Sequence, residues 1–400
     1  MSDVPAFSES EERQALRKAV ADLASTYGHD YFVERARSGQ KTDDLWAAVG
    51  KNGYLGVAVP EEYGGGGGGI GDLAAVCEEL STAGCPLLMM VVSPAICATI
   101  IAQYGTDAQK QHWLPEFAAG TTTMAFSITE SDAGSNSHRI VTTAKRDGDE
   151  WVLNGGKTFI SGVDEAPHLL VVARMEDAKT VPRPSDGREV PPNLKPALFI
   201  VPTDAAGLTA QQIEMEVVSP EKQFTLFFDD VRLPPDALLG SEDAGIEQLF
   251  AGLNPERIMA ASFATGMARY ALRKAVEYAN DRTVWHDPIG AHQAIAHPLA
   301  ESHIEIEQAR LMTQRAAALY DSGDPMRAGE AANMAKYAAG EAVCRAVDRA
   351  VQTHGGNGLT TEYGMGGLVA AARLSRIAPV SREMVLNFVA QFSLGLPKSY

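Results

Sequence analysis

Through residues 8–120 apolar positions recur at three- and four-residue steps, with Leu16, Val20 and Leu23 followed by Leu45 and Val49 and alanine-rich stretches between, which predicts packed amphipathic helices. Residues 60–70 break the pattern with Glu61, Glu62, Tyr63 and six consecutive glycines, Gly64 to Gly69. That composition cannot hold a helix, and it predicts a mobile loop. The run lacks the Lys-Ser/Thr ending of a phosphate-cradling loop, so it reads as a linker. Residues 86–102 are the most apolar window. Pro94 interrupts them and they fall short of the ~20 residues of a membrane span, so they read as a buried helix with its preceding turn.

Residues 121–234 change texture to short β-rich runs at 122–129, 151–153, 169–173, 197–201 and 225–228, separated by Gly and Asp turns. The Pro-rich stretch 181–196 predicts an exposed loop. After Leu239 the helical period returns through Ile258, Ser262, Thr265, Arg269, Leu272, Val276 and Ala279, followed by helical blocks at about 291–322, 326–354 and 380–396. The expectation is an α+β multidomain fold, with an N-terminal helical domain over 1–120, a middle β domain over 121–234 and a C-terminal helical bundle over 235–400. A length of 400 residues, at roughly 150 per domain, agrees with two or three domains.

Composition narrows the function. Lys and Arg number 34 against 51 Asp and Glu, a net charge of −17, the wrong sign for a nucleic-acid binder that works by counterion release. An acidic total still allows a local Arg-lined pocket for an anionic ligand. Cys77, Cys85, Cys97 and Cys344 form no CxxC pair, so they read as buried free thiols. The acidic N-terminus has no basic region followed by an apolar run, which leads to the expectation of a cytoplasmic protein. His286, His292, His297 and His303 are not spaced to share a helical face, and Pro298 interrupts them, so no metal site is expected. Ser131 and Ser135 lack the G-x-S-x-G setting of a hydrolase.

Two stretches carry chemistry. Phe126-Ser-Ile-Thr-Glu-Ser-Asp-Ala-Gly-Ser135 leaves a strand for a turn dense in hydroxyl, carboxylate and backbone donors, with small residues that admit a flat ring close to the main chain. Leu153-Asn-Gly-Gly-Lys-Thr-Phe-Ile-Ser-Gly162 reads as a hairpin turn and a strand ending in a serine. Each alone also fits an ordinary turn. Two more follow in order: Asn254-Pro-Glu-Arg257, then Asp281-Arg-Thr-Val-Trp-His-Asp-Pro-Ile289 with His292 and Gln293; and Gln352-Thr-His-Gly-Gly-Asn-Gly358 with Thr361-Glu-Tyr363.

In this order and spacing the four stretches resemble the acyl-CoA dehydrogenase family of flavoproteins over nearly the whole chain. In base placement the sequence is nearer the isovaleryl and long-chain types. The resemblance implies a noncovalent FAD between the β domain and the C-terminal helices. Phe126, Ile128, Thr129 and Ser135 would meet the ring from the first motif, and Phe159 and Ser161 from the second, with the Ser161 hydroxyl at flavin N5. Arg282, Thr283, Trp285, Gln293, Gln352, Gly355, Gly356 and Ser381 would hold the remainder of FAD, partly from a neighbouring subunit. A surface salt bridge is the plain alternative for Arg282. The resemblance also implies substrate contacts from Ser135, Asn254 and Arg257, a homotetramer built as a dimer of dimers, and electron delivery to an electron-transferring flavoprotein.

The implied reaction is α,β-dehydrogenation of an acyl-CoA thioester to the trans-2-enoyl-CoA. It needs one carboxylate with a raised pKa in a dry pocket. Where most of the family carries it, counting on from Gln352 lands on Pro379. The minority arrangement points to Glu256, just before Arg257. An acid in the first turn of a helix opened by Pro255 is the competing explanation. Two departures favour alternatives, an oxygen-using enzyme on the same fold or a catalytically silent subunit of a mixed assembly. Pro379 has no N–H for the thioester oxygen, and Ala370-Ala371 replace an Arg-Asp pair.

Overall fold

The computed structural model describes residues 9–175, 195–242 and 245–398. The first third is helical: α1 (Glu11–Ser25), α2 (Gly28–Ser38), α3 (Asp43–Lys51), α4 (Ile70–Thr82), α5 (Met89–Val92), a wide π turn (Ser93–Ala98), α6 (Thr99–Tyr104) and α7 (Asp107–Ala119). Local chemistry sets their ends. Ser10 caps α1, Thr106 and Gln109 form a capping box on α7, and Gly120 stops α7 in the left-handed conformation. The apolar window is the buried helix expected, and the π turn takes up Pro94.

Seven strands form one sheet: β1 (Met124–Ser127), β2 (Thr143–Asp147), β3 (Glu150–Ser161), β4 (His168–Met175), β5 (Lys195–Pro202), β6 (Leu208–Ile213) and β7 (Gln223–Leu233). Their order is β1-β4-β2-β3-β7-β6, with β5 on the other edge of β4. β2 and β6 are strands that the apolar pattern did not foretell. β2 buries only Ala144 before Lys145 and Arg146, and β6 exposes its four central residues, so each is held mainly by pairing with β3 or β7. The Pro-rich stretch lies outside the described residues up to 194, and its last two, Lys195 and Pro196, open β5.

The C-terminal part holds α8 (Gly245–Asp281), a small hairpin of β8 (Thr283–Val284) and β9 (Asp287–Pro288), α9 (Gln293–Asp321), α10 (Pro325–His354), α11 (Leu368–Ile377) and α12 (Arg382–Phe388). Three expectations are corrected here. Pro255 does not open a helix: α8 begins at Gly245 and runs through it. The carbonyl of Ala251, which a residue other than proline at 255 would have bonded, accepts from the Tyr320 hydroxyl at 3.4 Å, and Gln103 holds that hydroxyl at 2.9 Å. Pro298 likewise sits inside α9 without breaking it. In place of one helix over 380–396, Ser381 caps the short α12, and a wide turn follows at Val389–Ser393. The missed helix α11 has a steric explanation, since Ala370-Ala371 and the absent side chain of Gly340 let it lie close on α10. A Cβ on Gly340 would stand 2.6 Å from the carbonyl oxygen of Ser375.

The glycine run is also not the loose loop its composition suggests. The N–H groups of Gly66, Gly67 and Gly68 donate to the carbonyls of Gly56, Val59 and Val57, and a Cβ on Gly65 would stand 2.1 Å from the Val59 oxygen. These glycines permit close backbone approach, a use that composition cannot distinguish from slack. Beyond the run, the Asp321 carboxylate at the end of α9 accepts from the N–H of Ile70 and Gly71 at 2.7 and 3.0 Å, satisfying the first turn of α4.

One apolar core joins the N-terminal helices to the C-terminal bundle, through Val20, Leu73 and Leu80 against Ile258, Ala268 and Val343, and a second lies within the sheet around Trp151 and Phe199. At the seam between the N-terminal helices and the C-terminal bundle, Glu78 and Glu79 of α4 are buried among Arg17 of α1, Arg269 of α8 and Arg310 of α9.

A cavity of ≈180 Å³ lies where α3 meets the sheet, lined by Thr42, Trp46, Thr122, Glu165 and Glu221 among others. One carboxyl oxygen of Glu165 is buried there with no hydrogen-bond partner. Burial, then repulsion from Glu221 and Asp164, pushes its carboxyl up to about 8. A carboxyl raised in the folded state favours folding when protonated, so this site costs stability as pH rises from about 4.3 toward 8. Glu165→Gln should therefore stabilise the protein at pH 8 and have no measurable effect at pH 4, read as denaturant midpoints at the two pH values. An equal effect at both would show that the carboxylate is not strained.

Candidate active site

The first two motifs meet at the end of β1. Thr158 N–H donates to Thr129 O at 2.9 Å, and the Lys157 ammonium bridges Ile128 O at 3.0 Å and the Glu130 carboxylate at 2.9 Å. Glu130 also accepts from the N–H of Val141 and Thr142 at 2.6 and 3.0 Å. Burial lowers Lys157 to about 8 against the opposing pull of Glu130. This buried pair, which sequence reasoning missed, welds the motifs together. Its only signal was that Lys157 shares strand parity with the apolar Trp151 and Leu153.

Past Lys157 the ladder between β3 and β7 slips, and Phe159 in the irregularity has φ 56°. A bulky residue in that conformation is strained. The bulge turns its ring outward, 58% exposed, while Ile160 stays in the core. Two residues on, the Ser161 hydroxyl and the Gln223 side-chain amide hydrogen-bond at 2.9–3.0 Å, so Gln223, also missed, fixes the rotamer of Ser161. Phe126 is buried on β1, Ile128 and Thr129 are half-buried, and Ser135 is exposed. The Ser127 hydroxyl is buried without a partner.

The third and fourth motifs meet elsewhere. Arg282, Thr283 and Trp285 occupy the hairpin after α8, with Trp285 82% exposed at φ 58°. Gln293 opens α9, and Gln352, Gly355 and Gly356 lie exposed where α10 ends. Tyr278 ties the two: its ring stacks on His354 at 4.4 Å and its hydroxyl accepts from Asn357 at 3.0 Å. Ser381 spends its oxygen capping α12.

Glu256 is far from that end. It precedes Asp281 by 25 residues of continuous helix, ~37 Å at ~1.5 Å per residue. It is not a first-turn acid, since 11 residues of α8 come before it. Its half-buried carboxyl is pushed up to about 7 by burial, against Arg257 and Lys336, which favour the charged form. The Arg257 guanidinium donates to Leu253 O and Asn254 Oδ1, both at 3.2 Å, and its Nε is buried without a partner. Gly252, one turn before Glu256, lets α8 approach the preceding helices, where a Cβ would meet Ile100 and Ile96 at 2.7 and 2.9 Å. Among the described residues there is no cluster of three or more His, Cys, Asp or Glu that could hold a metal, and no helix is long and apolar enough to cross a membrane.

A carboxyl raised toward neutrality where α8 meets the preceding helices suits proton abstraction, and the exposed aromatic and pre-oriented serine of β3 suit contact with a flat ring. Comparison with known proteins specifies the class. The acyl-CoA dehydrogenase N-terminal, middle and C-terminal domain models match residues 10–121, 125–231 and 243–394. The chain is 63% identical to acyl-CoA dehydrogenase FadE12 of Mycobacterium tuberculosis over 394 residues, 98% of this chain and 99% of that protein. It is 33% identical to the probable acyl-CoA dehydrogenase YngJ of Bacillus subtilis over 96% of this chain and 98% of the relative. Butyryl-CoA dehydrogenase from Megasphaera elsdenii superposes with a TM-score of 0.88 at 28% identity, covering 97% and 99% of the two chains. The protein belongs to the acyl-CoA dehydrogenase family.

The cofactor is FAD, and the residues present fit it. The unpartnered hydroxyl of Ser127, the backbone groups at the end of β1, the outward ring of Phe159 and the fixed hydroxyl of Ser161 suit the polar edge and face of a flat heterocycle.

Proposed function

We propose that the protein converts an acyl-CoA thioester to the trans-2-enoyl-CoA with Glu256 as the base. The observation that supports this most is the Glu256 carboxyl, held near 7 by burial with two cations as its charged neighbours. Glu256 takes the α-proton, and the low-dielectric seam matches its basicity to neutral pH. Bound FAD supplies the acceptor for the hydride that leaves the β-carbon. Phe126, Ile128, Thr129 and Ser161 orient the ring, Phe159 excludes water beside it, and Ser135, Asn254 and Arg257 contact substrate.

Arg282, Thr283, Trp285, Gln293, Gln352, Gly355 and Gly356 lie too far along α8 for one flavin to reach both them and Glu256. This supports their holding the flavin of a neighbouring subunit, in a homotetramer. Exposed Ile377, Phe392 and Leu394 near the C-terminus supply apolar surface for such an assembly. Electrons pass on to an electron-transferring flavoprotein. The close packing of α11 on α10 with Ala370-Ala371 in place, and the raised Glu256 carboxyl, support an active enzyme over the silent-subunit alternative.

Anaerobic addition of a series of acyl-CoAs, with flavin absorbance and enoyl-CoA mass spectrometry as readouts, tests the reading. Bleaching with enoyl product is expected for part of the series, and bleaching by none would overturn it. Arg282→Ala should lower FAD content several-fold with an unchanged circular dichroism spectrum. Full flavin content in that variant would remove Arg282 from the cofactor site.

A further inference from the structure

Lys336 is 2% exposed in the middle of α10. A buried ammonium is costly, and a methionine would fill the same space without that cost, so the charge calls for a use. Its one described hydrogen bond runs to the carbonyl of Val380, in the turn between α11 and α12 that carries Pro379 where most of the family carries its base. Lys336 also lies near the proposed base. α10 packs lengthwise on α8, with Gly329 beside Asn254 and His354 stacked on Tyr278, and across that contact Lys336 is close enough to Glu256 and Arg257 to interact with both.

The groups facing Lys336 are Arg257 and Glu256 from α8, Glu383 from α12 and Cys344 from its own helix. Facing Glu256 are Arg257, Lys336 and, from the π turn, the Cys97 thiol. Burial, then Arg257, lowers Lys336 to about 8, which leaves it cationic at neutral pH. Of the two cations felt by Glu256, Arg257 spends two bonds on Leu253 and Asn254, while Lys336 bridges to the Pro379 turn.

We propose that Lys336 is a positioning residue that pins the 378–380 turn to α10 and, through its charge, keeps Glu256 in the unprotonated form that proton abstraction requires. This rests on Glu256 being the base, and the test separates the two ideas. In the FAD-loaded protein labelled with 13C-carboxyl glutamate, the infrared titration of Glu256 is identified by its loss in Glu256→Gln.

In Lys336→Met the Glu256 midpoint should rise by about one pH unit, which is about tenfold in the ionised fraction at pH 6. The acid limb of kcat/KM should move with it, and activity should recover toward wild type at pH 9. Lys336→Gln keeps a donor for Val380 without the charge and should show the same shift, which also serves if the methionine variant folds poorly. Lys336→Arg should return the midpoint to within a few tenths of a unit of wild type. An unmoved midpoint in both neutral variants, with activity lowered equally at every pH, would overturn the proposal. Full turnover in Glu256→Gln would instead remove the base assignment, leaving the infrared midpoint as the judge of Lys336.

Discussion

Glu256→Gln should retain FAD and the fold and lose dehydrogenation, with kcat down by roughly 10³, within the 10²–10⁴ range typical of a lost general base. The substitution is nearly isosteric and breaks no described hydrogen bond of Glu256, so the loss falls on chemistry and not on assembly. Wild-type kcat/KM should rise with pH through about 7, because the base acts only when unprotonated. Stability runs the other way. The carboxyl is raised in the folded state, so its burial costs stability as pH increases from about 4.3 to about 7, and Glu256→Gln removes that cost. The variant should therefore melt no lower than wild type at pH 8 while being nearly inactive there. Stopped-flow flavin reduction separates this from slow product release. Reduction within a few-fold of wild type in Glu256→Gln would transfer the role of base to another group.

Much of this was legible in the sequence and some was not, for physical reasons. The α–β–α order followed from hydrophobic period, since Leu16, Val20 and Leu23 or Ile258 and Ser262 sit on faces that bury. Strands such as β6, with no buried face of its own, left no such trace. Pro255 misled because its cost in a helix is offset by Tyr320, 65 residues away in sequence, and no local pattern carries that bond. Gly64 to Gly69 misled because glycine serves both slack and close approach. Glu256 and Ser161 could be singled out as members of motifs, whereas Lys336, Gln223 and the Glu130–Lys157 pair act through partners brought in from other elements. Their signal is a polar residue at a position whose parity or helical face is otherwise apolar, and it becomes informative only once the partner is known.

That signal is strongest at Glu78, and Glu78→Gln should be the most damaging change away from the active site. The residue is 4% exposed. Its two oxygens meet Arg17 at 2.9 Å, Arg269 at 2.9 Å and Arg310 at 2.6 Å, while Glu79 shares Arg17 and Arg269. Glu9 also pairs with Arg17 and Glu307 with Arg310, so in Glu78→Gln Arg17 keeps Glu9 and Glu79, Arg269 keeps Glu79, and Arg310 keeps only the more exposed Glu307. Such a network as a whole is weak evidence for stability, because desolvation offsets much of the attraction, yet removing one partner of a buried pair costs about 3–5 kcal/mol, and the surviving Glu9, Glu79 and Glu307 contacts put Glu78→Gln at the low end of that range. Burial raises the Glu78 carboxyl, and Arg17, Arg310 and Arg269 outweigh it and hold it below its ordinary value. A carboxyl lowered in the folded state contributes stability that is complete above the unfolded value, near 4.3, and is lost as pH falls further. The gap in denaturant midpoint between wild type and Glu78→Gln should accordingly be constant from pH 6 to 8 and close in acid. Adding Arg310→Gln to Glu78→Gln should cost less than the two single changes summed, because the second change removes a cation whose buried partner the first already took, leaving it only Glu307. Strict additivity would mean that Glu78 stabilises the seam through packing and not through charge.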